Sequence, residues 1–290
     1  MPLRRIVLLV NPNSRAVTRP AVEDAAALLA RSVDTRLIWT TGPGEATRLA
    51  ADLGTDPDTL VTAVGGDGTF FEALNGLPPQ GVIGLLPAGT ANVIARELGI
   101  PLQLREAAKT LLTGAVRRFD TGRCNGRRFF MVAGCEFDAH VASSVPALPK
   151  KWLGQYAYHL ESLCRYPRYD FPALRVEVDG RPAVTGSFAL VANLRRYGGG
   201  LFFAADARPD DGQLDLVLFR RMTVPYLLKG LWGAWTRRGV GSDVAWRLRG
   251  RQFRLQPPRP VRFQLDGEVL PPAAELQICV EPASLAMVTP

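Results

Sequence analysis

Histidine is almost missing. The 290-residue chain has two, His140 and His159. That excludes a multi-histidine metal centre, so a bound metal should have oxygen ligands. Cysteine is scarce as well: Cys124, Cys135, Cys164 and Cys279 show no CxxC spacing. They read as reduced thiols, not as a zinc site or a disulfide framework. No run of about 18 apolar residues occurs, so no transmembrane helix is expected. Met1-Pro2-Leu3-Arg4-Arg5 runs straight into the apolar stretch 6–10, which is too short for a signal peptide and lacks a cleavage site. A cytoplasmic protein is the expectation. Lysine is rare too, supplying four of the 35 basic residues, yet the net charge is +8. A basic protein suits an anionic partner: nucleotide, nucleic acid or anionic lipid surface. RNP-type, zinc-finger and helix-turn-helix signatures are absent, which argues against nucleic acid.

What is present is organised around Val64-Gly65-Gly66-Asp67-Gly68-Thr69. The apolar run 60–64 before it reads as a buried strand, and 70–77 after it reads as a helix ending near Gly76. Glycines between a strand and a helix let the backbone approach a ligand, and free N–H groups at a helix start attract phosphate. Asp67 is the odd member. A carboxylate beside a phosphate is repulsive unless a cation or a donor hydroxyl lies between them. Two readings stand: a magnesium-nucleotide loop, or a Gly-rich turn with Asp67 as a cap.

The first hundred residues alternate strand and helix. Strands are expected at 5–10, 35–39, 60–64 and 81–86, and helices at 20–31, 45–53, 70–77 and 93–98. Such a βα repeat gives a mostly parallel sheet with helices on both faces. Right-handed crossovers bring the loops at Asn11, Thr40, Gly65 and Gly89 to one sheet edge, where such sheets bind ligands. From about Val116 short strands follow, separated by turn signals such as Asn125-Gly126, Asp179-Gly180, Asp211-Gly212 and Asp266-Gly267. Strands are expected at 175–178, 187–192, 213–219, 261–265 and 276–280, and helices at 150–164 and 224–237. This is an antiparallel β pattern, with the domain boundary near 115–122.

At this level the sequence resembles the diacylglycerol kinase catalytic family, in particular bacterial lipid kinases that are also similar to sphingosine kinases. The resemblance rests on Asn11-Pro12-Asn13-Ser14, on Gly65-Gly66-Asp67-Gly68-Thr69, and on Leu86-Pro87-Ala88-Gly89-Thr90-Ala91-Asn92. It continues through Asp120, Phe137-Asp138-Ala139, Pro209-Asp210-Asp211-Gly212 and Asp266-Gly267-Glu268. The glycine motif alone would fit NAD kinases too, which share the first-domain fold. The resemblance implies an α/β plus β fold. A Rossmann-like domain over 1–118 would precede an antiparallel β-sandwich domain over 119–290, with the nucleotide cleft between them. The last strand is left free to return to the first domain.

It also implies roles. Asn11, Pro12, Asn13, Ser14, Thr40, Thr41, Gly65, Gly66, Asp67, Gly68, Thr69, Phe70, Phe71, Gly89, Thr90 and Asn92 would hold ATP. Asp67 and Asp120 would belong to the Mg²⁺ network, and Asp211 with the carbonyls of Arg208 and Gln213 would form a second cation site. Glu268 would be the general base on a lipid hydroxyl, with Asp266 beside it. From the residues alone, Asp266-Gly267-Glu268 reads first as a hairpin turn, since Asp-Gly pairs are strong hairpin signals.

Four residues depart from the family pattern: Arg15, Phe71, Val93 and Glu136. Val93 stands where the family has an aspartate of the magnesium network. The segments 150–158 and 220–238 mix basic and aromatic residues, as at a lipid headgroup interface. Alternatively Leu228, Leu231 and Trp235 are a core stripe at helical spacing. The expected activity is ATP-dependent transfer of phosphate to a lipid primary hydroxyl, with a transient anionic membrane surface as partner and a homodimer left open. The alternatives are an NAD kinase-like enzyme and a catalytically weak nucleotide- or lipid-binding protein.

Overall fold

A computed structural model describes residues 4–135, 170–198 and 200–290. The motif at 137–139, Glu136, and the expected helix at 150–164 with its basic-aromatic segment therefore lie outside the described residues. The chain divides into two units, Met1–Phe119 with Ala283–Pro290, and Asp120–Pro282.

In the first unit, β1 (Arg5–Val10), β3 (Thr59–Gly65) and β4 (Val82–Pro87) are apolar along nearly their whole length and buried. A strand covered on both faces has this pattern. With β2 (Asp34–Trp39) they form a parallel sheet in the order β2-β1-β3-β4, in unbroken register from Arg5↔Thr59 to Val10↔Val64. Between them run α1 (Arg19–Ala30), α2 (Glu45–Leu53) and α3 (Asp67–Gly76), followed by α4 (Val93–Leu98) and α5 (Leu104–Thr113). α1 buries Val22, Ala25 and Leu29, the i, i+3, i+7 face of a helix on a sheet. α5 was not expected from the sequence, although Ala107, Ala108 and Leu111 give it a buried face.

α3 differs from expectation in a way that matters. It begins at Asp67, not at Phe70, so Asp67-Gly68-Thr69 is the first helical turn and not a loop before it.

The second unit holds β7 (Val132–Cys135), β10 (Phe188–Ala192), β11 (Leu214–Phe219), β12 (Ala245–Gly250), β14 (Val261–Leu265) and β15 (Glu268–Ala273). They form an antiparallel sheet in the order β12-β11-β10-β7-β14-β15. A second layer is built from β8 (Leu174–Val178), β9 (Val184–Gly186) and β13 (Gln252–Gln256), with β5 (Ala115–Cys124) pairing β6 (Arg127–Phe129). The final strand, β16 (Leu276–Thr289), pairs β13 antiparallel at its start. Its last residues pair β4 in parallel, Ala286↔Val82 and Met287↔Ile83, and so add a fifth strand to the first unit's sheet. The sequence suggested only 276–280 for this strand. Pro282 breaks the apolar pattern there without ending it.

One helix of the second unit reverses an expectation. α6 (Val224–Trp235) lies where the sequence placed it, but Leu228 and Trp235 are not core residues: they are 60% and 67% exposed. The helix is seated instead through Gly230 and Ala234.

Candidate active site

The four connections that follow β1 to β4 meet at one edge of the first unit's sheet. Backbone bonds lace them together: Asn11 N–H to Val64 O at 3.0 Å, Thr40 N–H to Val10 O at 2.8 Å, Ala88 N–H to Gly65 O at 2.7 Å, and Ala16 N–H to Ala88 O at 2.9 Å. The Asn11 amide donates to Thr69 Oγ1 at 3.1 Å. Glycine is required where two loops touch. A Cβ on Gly89 would lie 2.4 Å from Gly66 Cα, so the backbones are in contact and neither position admits a side chain without a shift. Ser14 joins the same cluster, its Oγ 3.0 Å from where a Gly65 Cβ would be. Beside these glycines α3 starts with no side-chain cap. The N–H groups of an uncapped first turn carry the positive end of the helix dipole and suit a phosphate.

Asp67 sits in that first turn and points across to the next helix. Its two carboxylate oxygens accept the N–H groups of Val93, at 3.1 Å, and Ile94, at 3.2 Å. It thus caps α4, whose preceding residue Asn92 provides no side-chain cap. Burial raises the Asp67 carboxyl above the usual carboxylate range, and the two N–H groups of α4 oppose that rise. Val93, the departure noted in the sequence, is 5% exposed and contributes its backbone N–H to this bond.

The remaining nucleotide-site candidates divide into scaffold and rim. Asn92, at φ 47°, accepts Gly89 N–H and donates back to Gly89 O, at 2.9 and 3.1 Å. Thr40 Oγ1 donates to Val10 O at 3.2 Å. Thr41 gives its N–H and its hydroxyl to Glu45 Oε2, at 2.5 and 2.7 Å. Phe70 and Phe71 are core side chains, 0% and 4% exposed, so only their backbone could meet a ligand. Pro12, Asn13 and Thr90 are exposed at the rim. Sequence reasoning missed Glu45 and Glu72, which clamp the loop after β2 through Thr41 and through Gly44 N–H, the latter at 3.1 Å. The available signal was the four-residue spacing from Thr41 to Glu45.

In the second unit, the β14–β15 hairpin turns on Asp266 and Gly267, whose φ values are +53° and +92°. Two positive φ values mark a type I′ turn, which favours Asp-Gly. The turn reading of Asp266-Gly267-Glu268 is therefore right as structure, and the two carboxylates in it have opposite surroundings. Asp266 is 5% exposed, and its carboxylate accepts the N–H groups of Phe130, Met131 and Val132 at 2.7, 2.7 and 2.9 Å. Glu268 is exposed, and among the described residues its carboxylate has no hydrogen-bond or ion-pair partner. Gln264 steadies the turn by accepting Gly267 N–H at 2.6 Å.

The 208–213 loop is fastened by Asp120. That residue is 3% exposed; its N–H donates to Pro209 O and its Oδ2 accepts Gly212 N–H, both at 2.6 Å. Asp211 accepts Gln213 N–H at 3.1 Å and pairs with the Arg249 guanidinium. Next to it, Asp215 is 9% exposed, and burial pushes its carboxyl pKa up to about 6 against the pull of Arg249.

These donor sets can be tested against the implied cations. Asp67 and Asp120 are each committed to backbone N–H groups, and among the described residues no group of three acidic, histidine or cysteine side chains is gathered for a metal. Such a set suits a magnesium ion that arrives on the nucleotide and keeps phosphate and water ligands. At the second site, the Arg249 guanidinium already neutralises Asp211. A resident cation there would compete with it, so those residues do not fit a metal as they stand.

The chain matches two family models: diacylglycerol kinase catalytic domain over residues 5–124, and YegS C-terminal NAD kinase beta sandwich-like domain over 131–289. A curated relative, the diacylglycerol kinase of Bacillus subtilis, is 29% identical over 79% of this chain and 77% of its own. Among solved structures, a diacylglycerol kinase from Bacillus anthracis aligns with TM-score 0.83 at 23% identity, covering 99% of this chain and 97% of that one. An NAD kinase from Archaeoglobus fulgidus in complex with ATP aligns with TM-score 0.53 at 14% identity, over 98% and 93%.

Proposed function

The chain belongs to the diacylglycerol kinase family, a family of lipid kinases, and from that premise we propose that it moves the γ-phosphate of MgATP onto the primary hydroxyl of a diacylglycerol-like lipid. In this reading the loops around Gly66 and Gly89 and the first turn of α3 hold the nucleotide phosphates through backbone N–H groups. Ser14 and Thr90 stand at the rim of that cradle. Asp67 is a positioning residue that keeps α3 and α4 in register so that the N–H groups converge, and Asp120 plays the same part for the 208–213 loop.

Glu268 is the general base. It takes the proton of the lipid hydroxyl on one carboxylate oxygen as that hydroxyl's oxygen bonds to the γ-phosphorus. The bond from the γ-phosphorus to the bridging oxygen breaks, and ADP leaves. A magnesium ion held on the nucleotide phosphates beside Asp67 and Asp120 would neutralise phosphate charge while bound. Positioning and preorganised electrostatics account for most of the acceleration in such transfers.

The observation that carries the reading is the division of labour on the 266–268 turn. Asp266 is held by three N–H groups, while Glu268, two positions on in the same hairpin, has no partner among the described residues. A base needs free lone pairs and access to the incoming hydroxyl, and of the two carboxylates the exposed one, Glu268, offers both. The NAD kinase alternative rests on a shared fold. The weak-binder alternative draws on Val93, a buried aliphatic side chain where the family pattern has a carboxylate.

The test is transfer from γ-labelled ATP to a panel of diacylglycerol, monoacylglycerol, phosphatidylglycerol, sphingosine and ceramide in mixed micelles, with NAD alongside. Labelled phospholipid with no labelled NADP is expected. Label in NADP alone overturns the reading, and ATP binding without label in any acceptor leaves the weak-binder alternative standing.

A further inference from the structure

α6 carries its large apolar side chains on the outside. Val224, Leu228, Trp232 and Trp235 are 57%, 60%, 63% and 67% exposed, and they account for four of the seven exposed large hydrophobic residues among those described. At about 100° per residue, these four positions fall within a sector of roughly 80°. The helix is seated through its small residues instead. Ala234 is fully buried, a Cβ on Gly230 would lie 2.7 Å from the Phe219 ring, and one on Gly233 would lie 2.3 Å from Gly239 O. Glycine at 230 lets the helix sit close to the sheet at Phe219, and glycine at 233 lets the chain at Gly239 pack against it, while both tryptophans stay exposed. Two glycines lower the helix propensity of this segment, so the arrangement is held by packing against propensity. The two indoles lie against each other with ring centroids 5.5 Å apart.

Charge completes the pattern. Residues 220–238 contain Arg220, Arg221, Lys229, Arg237 and Arg238 and no acidic residue. Arg220 lies over the Trp246 ring, Arg237 over the Phe202 ring, and Lys229 pairs with Asp243 at 3.2 Å. Arg221 and Arg238 are exposed, and their guanidinium groups have no partner among the described residues. Tryptophan and leucine between arginines suit the boundary of a bilayer: indoles rest at headgroup level, aliphatic groups enter the acyl layer, and guanidinium groups meet lipid phosphate. With Lys229 paired to Asp243, the four arginines Arg220, Arg221, Arg237 and Arg238 would still repel a second copy of the same helix, which disfavours self-association through this face.

We propose that α6 is a membrane-docking helix that lies in the interface of an anionic bilayer, with the Val224–Leu228–Trp232–Trp235 stripe inserted and Arg221 and Arg238 on the headgroups. This deepens the lipid-kinase reading and rests on it for the choice of occupant. The docking surface would deliver the chain to the membrane in which an acceptor lipid resides.

The experiment uses the full chain with vesicles of phosphatidylcholine, with and without phosphatidylglycerol, and reads cosedimentation and tryptophan emission. Wild type should bind the anionic vesicles with a blue-shifted emission, and salt above about 0.1 M should weaken binding as the Debye length falls below about 10 Å. Trp232→Ala/Trp235→Ala should bind about tenfold or more weakly, and Arg221→Glu/Arg238→Glu about tenfold or more weakly on anionic vesicles only. Both variants should keep the wild-type melting temperature and the wild-type turnover on a dispersed short-chain diacylglycerol. Vesicle binding by the tryptophan variant equal to wild type overturns the proposal. So does a wild type that ignores vesicles but forms a dimer, or captures a protein, through the same tryptophans. Vesicle binding that depends on the stripe, with no lipid phosphorylated, supports docking while overturning the kinase reading, so the two failures are distinguishable.

Discussion

Two carboxylate sites in this molecule handle the same difficulty differently. In the first unit, Asp67 caps α4 with both oxygens, and it lies in the turn that would meet the nucleotide. In the second unit, the structural work falls on Asp266, bound by three N–H groups, and Glu268 two residues later has no partner among the described residues. A residue that anchors the very turn that would meet the nucleotide cannot be changed without disturbing both stability and activity. Where two residues divide those roles, one of them can be. The comparison therefore says where a substitution should separate activity from stability and where it should not.

The largest effect should come from Glu268→Gln. It keeps the shape and removes the proton acceptor, so transfer should fall by about 10²–10⁴. Because Glu268 is exposed and unpartnered among the described residues, the melting temperature should not move, and ATP affinity measured by calorimetry should be unchanged. Unaltered turnover would end the base assignment and leave the turn as architecture alone. Asp266→Ala is the counterpart. It strips three backbone N–H groups of their acceptor, and a buried donor left unsatisfied costs about 1–3 kcal/mol. The expected loss is several kcal/mol, or roughly 10 °C in melting temperature for a chain of this size. A wild-type melting curve for Asp266→Ala would break the comparison at its firmest point.

Asp67→Asn should fall between these cases and move both observables. An amide can accept one of the two α4 N–H groups, but it presents an NH₂ toward the other. A loss of about 1–2 kcal/mol is expected, seen as a melting temperature lower by a few degrees, together with at least a tenfold fall in turnover as the phosphate cradle loosens. Since burial already raises the Asp67 carboxyl, removing its charge recovers part of that loss. Full stability with abolished turnover would make Asp67 a group of the chemical step, not a positioning residue.

How legible these sites were depended on whether the controlling contact is local. The βα repeat could be read because strands such as Arg5–Val10 are apolar after their first residue and the loops after β2, β3 and β4 carry glycine. The Asp266-Gly267 turn could be read because a type I′ turn restricts residue choice within two positions. Asp67 read as a cap was correct, but its helix was not foreseeable: it caps α4, 26 residues on, not the helix that contains it. Asp266 could not be separated from Glu268 in the sequence, because its partners are 134 to 136 residues away. The orientation of α6 was hidden for a related reason. Apolar spacing shows that a helix has a stripe, and only contacts such as Gly230 against Phe219 show which way it faces.

Asp215 offers the subtlest way to sharpen the comparison, because it is a buried carboxylate without the donors that Asp266 enjoys. Its Oδ2 has no hydrogen-bond partner, and its Oδ1 lies 3.3 Å from Arg249, which also serves Asp211. Burial, with Asp211 and Asp206 nearby, raises its pKa from 3.8 to about 6. The folded state therefore holds this proton more tightly than the unfolded chain does. Below about pH 4 both states are protonated and the group is neutral to stability. As pH rises through about 6 the folded state must ionise a group it disfavours, so stability falls across that window and stays lower above it. A shift of about two units bounds the effect at about 3 kcal/mol, and Arg249 reduces it. Asp215→Asn should raise the melting temperature by a few degrees at pH 7.5 and by nothing at pH 4, with a chelator present so that no cation competes for Asp211. A gain that is the same at both pH values would show a packing effect, and a loss at pH 7.5 would show that the Asp215–Arg249 pair outweighs the burial.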